Sequence, residues 1–378
     1  MRKTKNAGGN KNILKLAGIY STVIIGAGFA SGQELMRFFA SYGAWGVLGL
    51  LVSGVIFSGM GWAVLDICHV KSIRSYQGLT ELISGGNKFL GVAIETAAMF
   101  FMFVVFATML AAGGATLKQS FGLPFSMGAG VVAAIAFVVM LFDVSGLVSL
   151  NAKLAPVLVL GGAVVCALSV ISGGTPVFGG SALKGLFPYW LLSAVIYSAY
   201  NMITAVSVLS ETSEMAGSRR AGKLSGILGG GAMTLLGLCL LVPLLLNYSG
   251  ILRVEIPILH IAGKYGQGFG YMYLGVLFCA IITSSVSNAF AMIRWLTASF
   301  RIKPVVANAA IALLGFGVAH VGFSVFVGKV YPVFGLVGLV EIGLILRAWR
   351  MVRREAYLDR RKRGFGKDHP GEPVGEKA

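Results

Sequence analysis

The run "GAGFASGQE", Gly26 to Glu34, sets three glycines, a serine, a glutamine and a glutamate inside an otherwise apolar stretch. Glycine is a poor helix former and tolerates unusual dihedrals, so Gly26, Gly28 and Gly32 make a break in a helix inexpensive. A break frees peptide groups: loose carbonyls suit a hard cation, and the amides at a half-helix N-terminus suit a carboxylate. The plainer alternative is an unbroken helix with a glycine packing face. "SGQE" adds polar groups that packing does not need.

A second polar cluster is "YSAYNMIT", Tyr197 to Thr204, which contains no glycine. A third lies in "FCAIITSSVSNAFAM", where Thr283, Ser284, Ser285, Ser287 and Asn288 crowd an apolar run. Ala280, Thr283 and Ser284 are spaced i, i+3, i+4 and share one helix face. One carbonyl and two hydroxyls there could complete an oxygen shell for Na⁺. The competing reading is that the hydroxyls bond back to their own helix.

Ionisable residues in apolar runs are functional candidates because burying them is costly. Glu34 and Arg37 form either a local i, i+3 ion pair or a gate, proton site or partner for a substrate amine. Glu95 and Glu341 are expected to pair structurally, with Arg294 at similar depth as the cation for either. Lys153 either snorkels to the interface or is one of these functional candidates. His69, His260, His320 and His369 are scattered, and Cys68, Cys166, Cys239 and Cys279 show no metal or disulfide spacing. H-E-x-x-H, a suitably set G-x-S-x-G and a phosphate loop are missing, so an enzyme and an organic cofactor are not expected.

These residues need a frame, and composition supplies it. The chain has 378 residues, is 56% hydrophobic and 12% charged, and has a mean hydropathy of +0.83. No soluble core hides that much apolar surface, so lipid must be the solvent for most of the chain. The net charge of +17 sits mainly in "MRKTKNAGGNKNILK", in "RAWRMVRREAYLDRRKRGFGK" and in short loops. That placement excludes a nucleic-acid module and points to an anionic membrane surface. At about 20 apolar residues each, ten spanning helices are expected: 13–40, 44–66, 89–118, 126–143, 147–172, 186–211, 220–247, 268–300, 303–322 and 325–350. The segment "KSIRSYQGLTELIS" between spans 2 and 3 is amphipathic and expected at the inner interface.

With the N-terminus inside, the outer side holds Arg37, Lys118, Lys184, Arg253, Lys264 and Lys329, and the other basic residues face inward. The basic start therefore reads as a topology signal rather than a cleaved leader, in a multi-pass protein of the cell inner (plasma) membrane with both termini cytoplasmic. The domain plan is a basic tail at 1–12, five helices over 13–172, an inverted set of five over 186–350, and a basic, partly disordered tail at 351–378. Spans 1 and 6 then occupy corresponding places, and their polar clusters fall at matching depth. Interrupted segments at corresponding positions of two halves point to a transporter's binding site.

Taken together, "GAGFASGQE" followed by an arginine and aromatics, with "AIITSSVSN" in span 8, resembles the LeuT-fold transporters of the amino acid–polyamine–organocation and sodium–solute symporter superfamily. Within it the chain looks like the YkvI-like group of bacterial membrane proteins. The resemblance covers all ten spans. It implies an all-α fold of ten helices in a 5+5 inverted repeat, with spans 1 and 6 both broken. It also implies a Na⁺ held by the carbonyls of Gly26, Phe29 and Ala280 and the hydroxyls of Thr283 and Ser284. Substrate would lie among Ala30, Ser31, Gly32 and Gln33 of span 1 and Tyr197, Tyr200, Asn201 and Thr204 of span 6. The implied activity is alternating-access transport of a small solute, an amino acid or related zwitterion, driven by Na⁺. Some proton-coupled relatives place a span 5 lysine at the cation position, which Lys153 would match. Coupling to H⁺ through Lys153 or Glu34, and a sensor that binds solute without moving it, are the alternatives.

Overall fold

The computed structural model describes residues 4–142, 147–173 and 185–365. Every apolar segment read from the sequence carries a helix. They are α1 (Thr4–Ile24), α2 (Ala27–Ala30) and α3 (Gln33–Phe38) in the first, then α4 (Ala44–Lys71), the amphipathic α5 (Tyr76–Ile83), α6 (Lys88–Phe121), α7 (Phe125–Val139) and α8 (Leu147–Ile171). The second half comprises α9 (Trp190–Thr212), α10 (Arg219–Leu246), the short α11 (Tyr248–Ile251) and α12 (Pro257–Lys264), then α13 (Gln267–Phe300), α14 (Pro304–Ala319), α15 (Phe323–Val325) and α16 (Tyr331–Phe365). Six are long and apolar enough to cross a membrane by length and composition, and α7, α14 and the 159–171 part of α8 are shorter apolar helices.

The ends obey local chemistry. Ser75, Asn87 and Ser218 accept backbone N–H bonds from Gly78, Leu90 and Ala221 as N-caps, each worth about 1 kcal/mol. Gly122 closes α6 in the left-handed conformation that favours glycine. The first helix starts at Thr4 rather than 13, and the last continues to Phe365, so part of the expected C-terminal tail is helical.

Packing relies on small residues, as it must where lipid removes the hydrophobic drive between helices. α4 crosses α10 so closely that a Cβ on Gly226 would run into the backbone of Trp62, and one on Gly54 into Thr234. α16 crosses α9 with Gly338 against the Ala199 carbonyl. Polar ties fix register: Tyr20 of α1 donates to the Phe57 carbonyl of α4 at 2.7 Å, and Ser53 of α4 donates to the Ala194 carbonyl of α9 at 3.1 Å. At the end where α4 stops and α10 starts, Asp66 takes a bidentate pair from Arg219 at 2.6 and 2.8 Å and an indole N–H from Trp349 of α16 at 2.9 Å.

Span 6 corrects the expectation of a second broken helix. α9 runs uninterrupted from Trp190 to Thr212. It lacks glycine, and three of its polar side chains bond to their own helix: Ser198 donates to Ala194, Asn201 to Tyr197 and Thr204 to Asn201, all on carbonyls. Span 10 has an irregularity the sequence did not suggest, a π-helical turn over Phe326–Val330 between α15 and α16.

The carboxylates also pair differently from expectation. Glu341 accepts from Tyr76 of α5 at 3.1 Å and Glu95 from Thr80 at 2.7 Å, so α5 bridges α16 and α6. Arg294 reaches neither and lies 5.9 Å from the Phe290 ring centre. Periodicity places these residues at a depth but does not say which neighbour turns toward them.

Candidate functional site

Span 1 is interrupted twice. The helix ends at Ile24, and Gly26 folds back with its N–H on the Ile24 carbonyl at 2.9 Å. One turn follows, Ala27–Ala30, and a second break falls at Ser31–Gly32. Gly32 has φ +82°, where side chains are strained, and a Cβ there would also strike Ile258.

Peptide groups released by the breaks find partners, as burial demands. The Ala30 carbonyl accepts from the Tyr273 hydroxyl of α13 at 2.7 Å. The Ser31 carbonyl accepts from the Ile258 N–H of α12 at 3.0 Å. Ser31 Oγ donates to the Gly28 carbonyl at 2.8 Å and accepts from the Gln33 N–H at 3.2 Å, capping α3. Gln33 Nε2 donates to Ser324 of α15 at 3.0 Å, while its Oε1 is buried without a partner.

The first break faces α13. The nearest atom to a Cβ built on Gly26 is Ser284 Oγ, at 3.9 Å. Thr283 Oγ1 donates back to the Cys279 and Ala280 carbonyls at 3.0 and 3.2 Å, leaving its lone pairs on a buried oxygen. Ser285, Ser287 and Asn288 also bond to their own helix. Among the described residues Ser284 Oγ alone in this cluster makes no hydrogen bond. No group of three or more His, Cys, Asp or Glu able to hold a metal occurs among them either. The donors at this break are carbonyl and hydroxyl oxygens, the kind that suit a hard cation. α8 packs against both α1 and α13, but the Lys153 side chain lies outside the described residues.

The second break leads into a packed aromatic cluster. Glu34, 5% exposed, accepts from the Tyr200 hydroxyl at 3.1 Å, and its carboxyl fills the notch left by the missing side chain of Gly28. The expected local ion pair is absent: Arg37 is exposed and makes no salt bridge with Glu34. Phe38 meets Tyr197 and Tyr200, each with ring centres 5.5 Å away, and Tyr331 of α16 lies 5.0 Å from Tyr200. The Tyr197 hydroxyl is buried without a hydrogen bond.

The structure thus sets Ala30 to Gln33 at the start of α3 and Tyr197 and Tyr200 against Glu34 and Phe38 further along it, with Gly26 facing Ser284 of α13. It does not bring Asn201 and Thr204 to the break as free polar groups, since both bond to α9. Sequence reading missed Tyr273, Ile258, Ser324 and Tyr331. One signal was available for the first: Tyr273, Ala280 and Ser284, at i, i+7 and i+11, lie on one stripe of α13.

No family model matches the chain. It is 27% identical over 335 residues to the uncharacterized membrane protein YkvI of Bacillus subtilis (strain 168), covering 88% of this chain and 94% of that one. It is 25% identical over 324 residues to the uncharacterized protein YyaD of the same organism, covering 85% and 93%. Among solved structures, Mhp1 in its inward-facing conformation superposes with a TM-score of 0.62 over 90% of this chain and 77% of that one, at 15% identity. MhsT in complex with L-phenylalanine gives 0.64 over 91% and 97%, at 14% identity. The chain is therefore a homologue of the YkvI membrane protein and shares the fold of Mhp1 and MhsT.

Proposed function

We propose that the protein is a secondary transporter of a small solute working by alternating access, with Na⁺ taken between the first break of span 1 and α13. The carrying observation is that Ser284, the one hydroxyl of the α13 cluster left without a hydrogen bond among the described residues, faces Gly26 where the helix stops. The carbonyls of Gly26, Phe29 and Ala280 with the hydroxyls of Thr283 and Ser284 would hold the ion. All five are neutral, which suits a single positive charge.

Substrate would bind at the second break, near Ala30 to Gln33, against Tyr197 and Tyr200, with the unpartnered Gln33 Oε1 and Tyr197 hydroxyl as its polar contacts. A small zwitterion such as an amino acid fits aromatic walls with few polar groups, and the complex of MhsT with L-phenylalanine supports that class. Asn201 and Thr204 would join only if they released α9. The 5+5 inverted repeat, cytoplasmic termini and plasma-membrane location complete this reading. The test is uptake into proteoliposomes under an imposed Na⁺ gradient. Accumulation of an amino acid only with Na⁺ outside supports it, and binding without accumulation makes the protein a sensor.

A second reading, H⁺ coupling, has its own observation. Glu34 is buried, its carboxyl bonds to a tyrosine, and it makes no salt bridge among the described residues. Uptake driven by a pH gradient and lost in Glu34→Gln would favour it.

A further inference from the structure

We propose that the crossing of α4 and α10 is a binding site for one anionic phospholipid, its acyl chain in the groove between the helices and its phosphate on Lys223 and Arg353. The groove has a volume of about 580 Å³ and an almost wholly apolar lining. Its walls are exposed aliphatic side chains, Leu51 and Val55 on α4 and Leu235 on α10. Its lining includes Gly59 and Gly231, where a Cβ would meet nothing within 4 Å. Gly54, Gly226 and Gly230 hold the crossing tight; these two instead leave room.

The groove has two unlike ends, and this polarity selects the occupant. One end, at Leu51 and Leu238, is apolar. The other closes on Trp62, whose ring carries the Lys223 ammonium at 4.3 Å and the Arg353 guanidinium at 5.5 Å. Both cations are exposed. The nearby Asp66 carboxylate is held at both oxygens by Arg219; it offsets the Arg353 charge in part and leaves Lys223 to face the groove. An indole flanked by basic groups is the pattern of a membrane–water interface. From Leu51 to Trp62 the helix rises about 16 Å, and one leaflet of a hydrocarbon core about 30 Å thick is about 15 Å deep. The slot is one leaflet deep with its positive mouth at headgroup level. An anionic lipid satisfies both parts, whereas a second copy of the chain would bring the same positive mouth against its own.

Native mass spectrometry of the full chain in mild detergent tests this, using dioleoyl phosphatidylglycerol against dioleoyl phosphatidylcholine. One phosphatidylglycerol should be retained in preference to phosphatidylcholine. Lys223→Ala with Arg353→Ala should weaken its retention roughly 30-fold, at about 1 kcal/mol for each basic residue near an anionic surface. Gly231→Leu should abolish retention by filling the slot; the open space at Gly231 lets it fold, checked by helical circular dichroism and a monodisperse elution. Equal retention of both lipids, or retention unchanged in Gly231→Leu, overturns the proposal. So does conversion of a dimer to a monomer by Gly231→Leu, which would place a second copy in the groove.

Discussion

Spans 1 and 6 both carry polar clusters, yet one comes apart and the other does not. In span 1 the chain spends glycines where it stops, and Gly32 adopts a left-handed conformation that other residues resist. In span 6 Ser198, Asn201 and Thr204 lock onto carbonyls of their own helix. Polarity in a membrane helix therefore has two outcomes. It opens the backbone where glycine lowers the cost and a neighbour supplies partners, as Tyr273 and Ile258 do here. Elsewhere it is absorbed internally and leaves the helix intact.

Substitutions on both sides of this contrast should differ in size. Gly28→Leu is the most damaging, because its side chain would need the space of the Glu34 carboxyl. Overpacking of this kind costs about 1–3 kcal/mol, and uptake should be lost while the protein still inserts. A fully active variant would mean that the notch is not needed. Next, Thr283→Ala with Ser284→Ala should remove the rise in melting temperature that Na⁺ gives over K⁺, since stabilisation by a ligand follows mass action. An undiminished sodium response in that double variant eliminates the cation site.

Tyr200→Phe removes the hydrogen bond to Glu34 and should cost about 1.5–3 kcal/mol if the carboxyl is ionised, or about 1 kcal/mol if it is neutral. Denaturation of the two proteins side by side distinguishes these charge states. On the intact side, Ser198→Gly in α9 should cost about 0.5 kcal/mol of helix propensity in thermal unfolding and leave uptake in place. A large loss of uptake would show that α9 must change shape.

The smallest effect lies outside the membrane. Burial raises the Glu255 carboxyl above its ordinary range, with Lys118 opposing the shift. A raised acid is favoured in its protonated form by the fold, so its contribution is full below the unfolded pKa and is lost as pH rises through the folded one. Glu255→Gln should flatten that shallow fall in melting temperature just above the usual carboxylate range.

The helical frame was legible because apolar length is a strong signal, and each expected segment carries a helix. The break at Gly26 was legible for a related reason: glycine has little other use beside "SGQE". The continuity of α9 was not, since the sequence shows Asn201 and Thr204 as polar without showing where they bond. Nor was the burial of Glu34 against Tyr200, or the docking of Ile258 on Ser31. Both join residues far apart in the chain, and no periodicity encodes such a meeting. The partner of Glu341 was misjudged for the same reason. An arginine at similar depth suggested itself, and a tyrosine from the interfacial helix arrived instead.

The π-helical turn at Phe326–Val330 has a mechanical consequence. Such a turn stores one surplus residue in a helix, and passing that residue along the axis rotates everything beyond it by about a quarter turn without unravelling the rod. Ser324 stands just before this slack and Tyr331 just after it, so the two are geared to each other through it. Moving the surplus residue would change the angle between Ser324, which holds Gln33, and Tyr331, which packs on Tyr200.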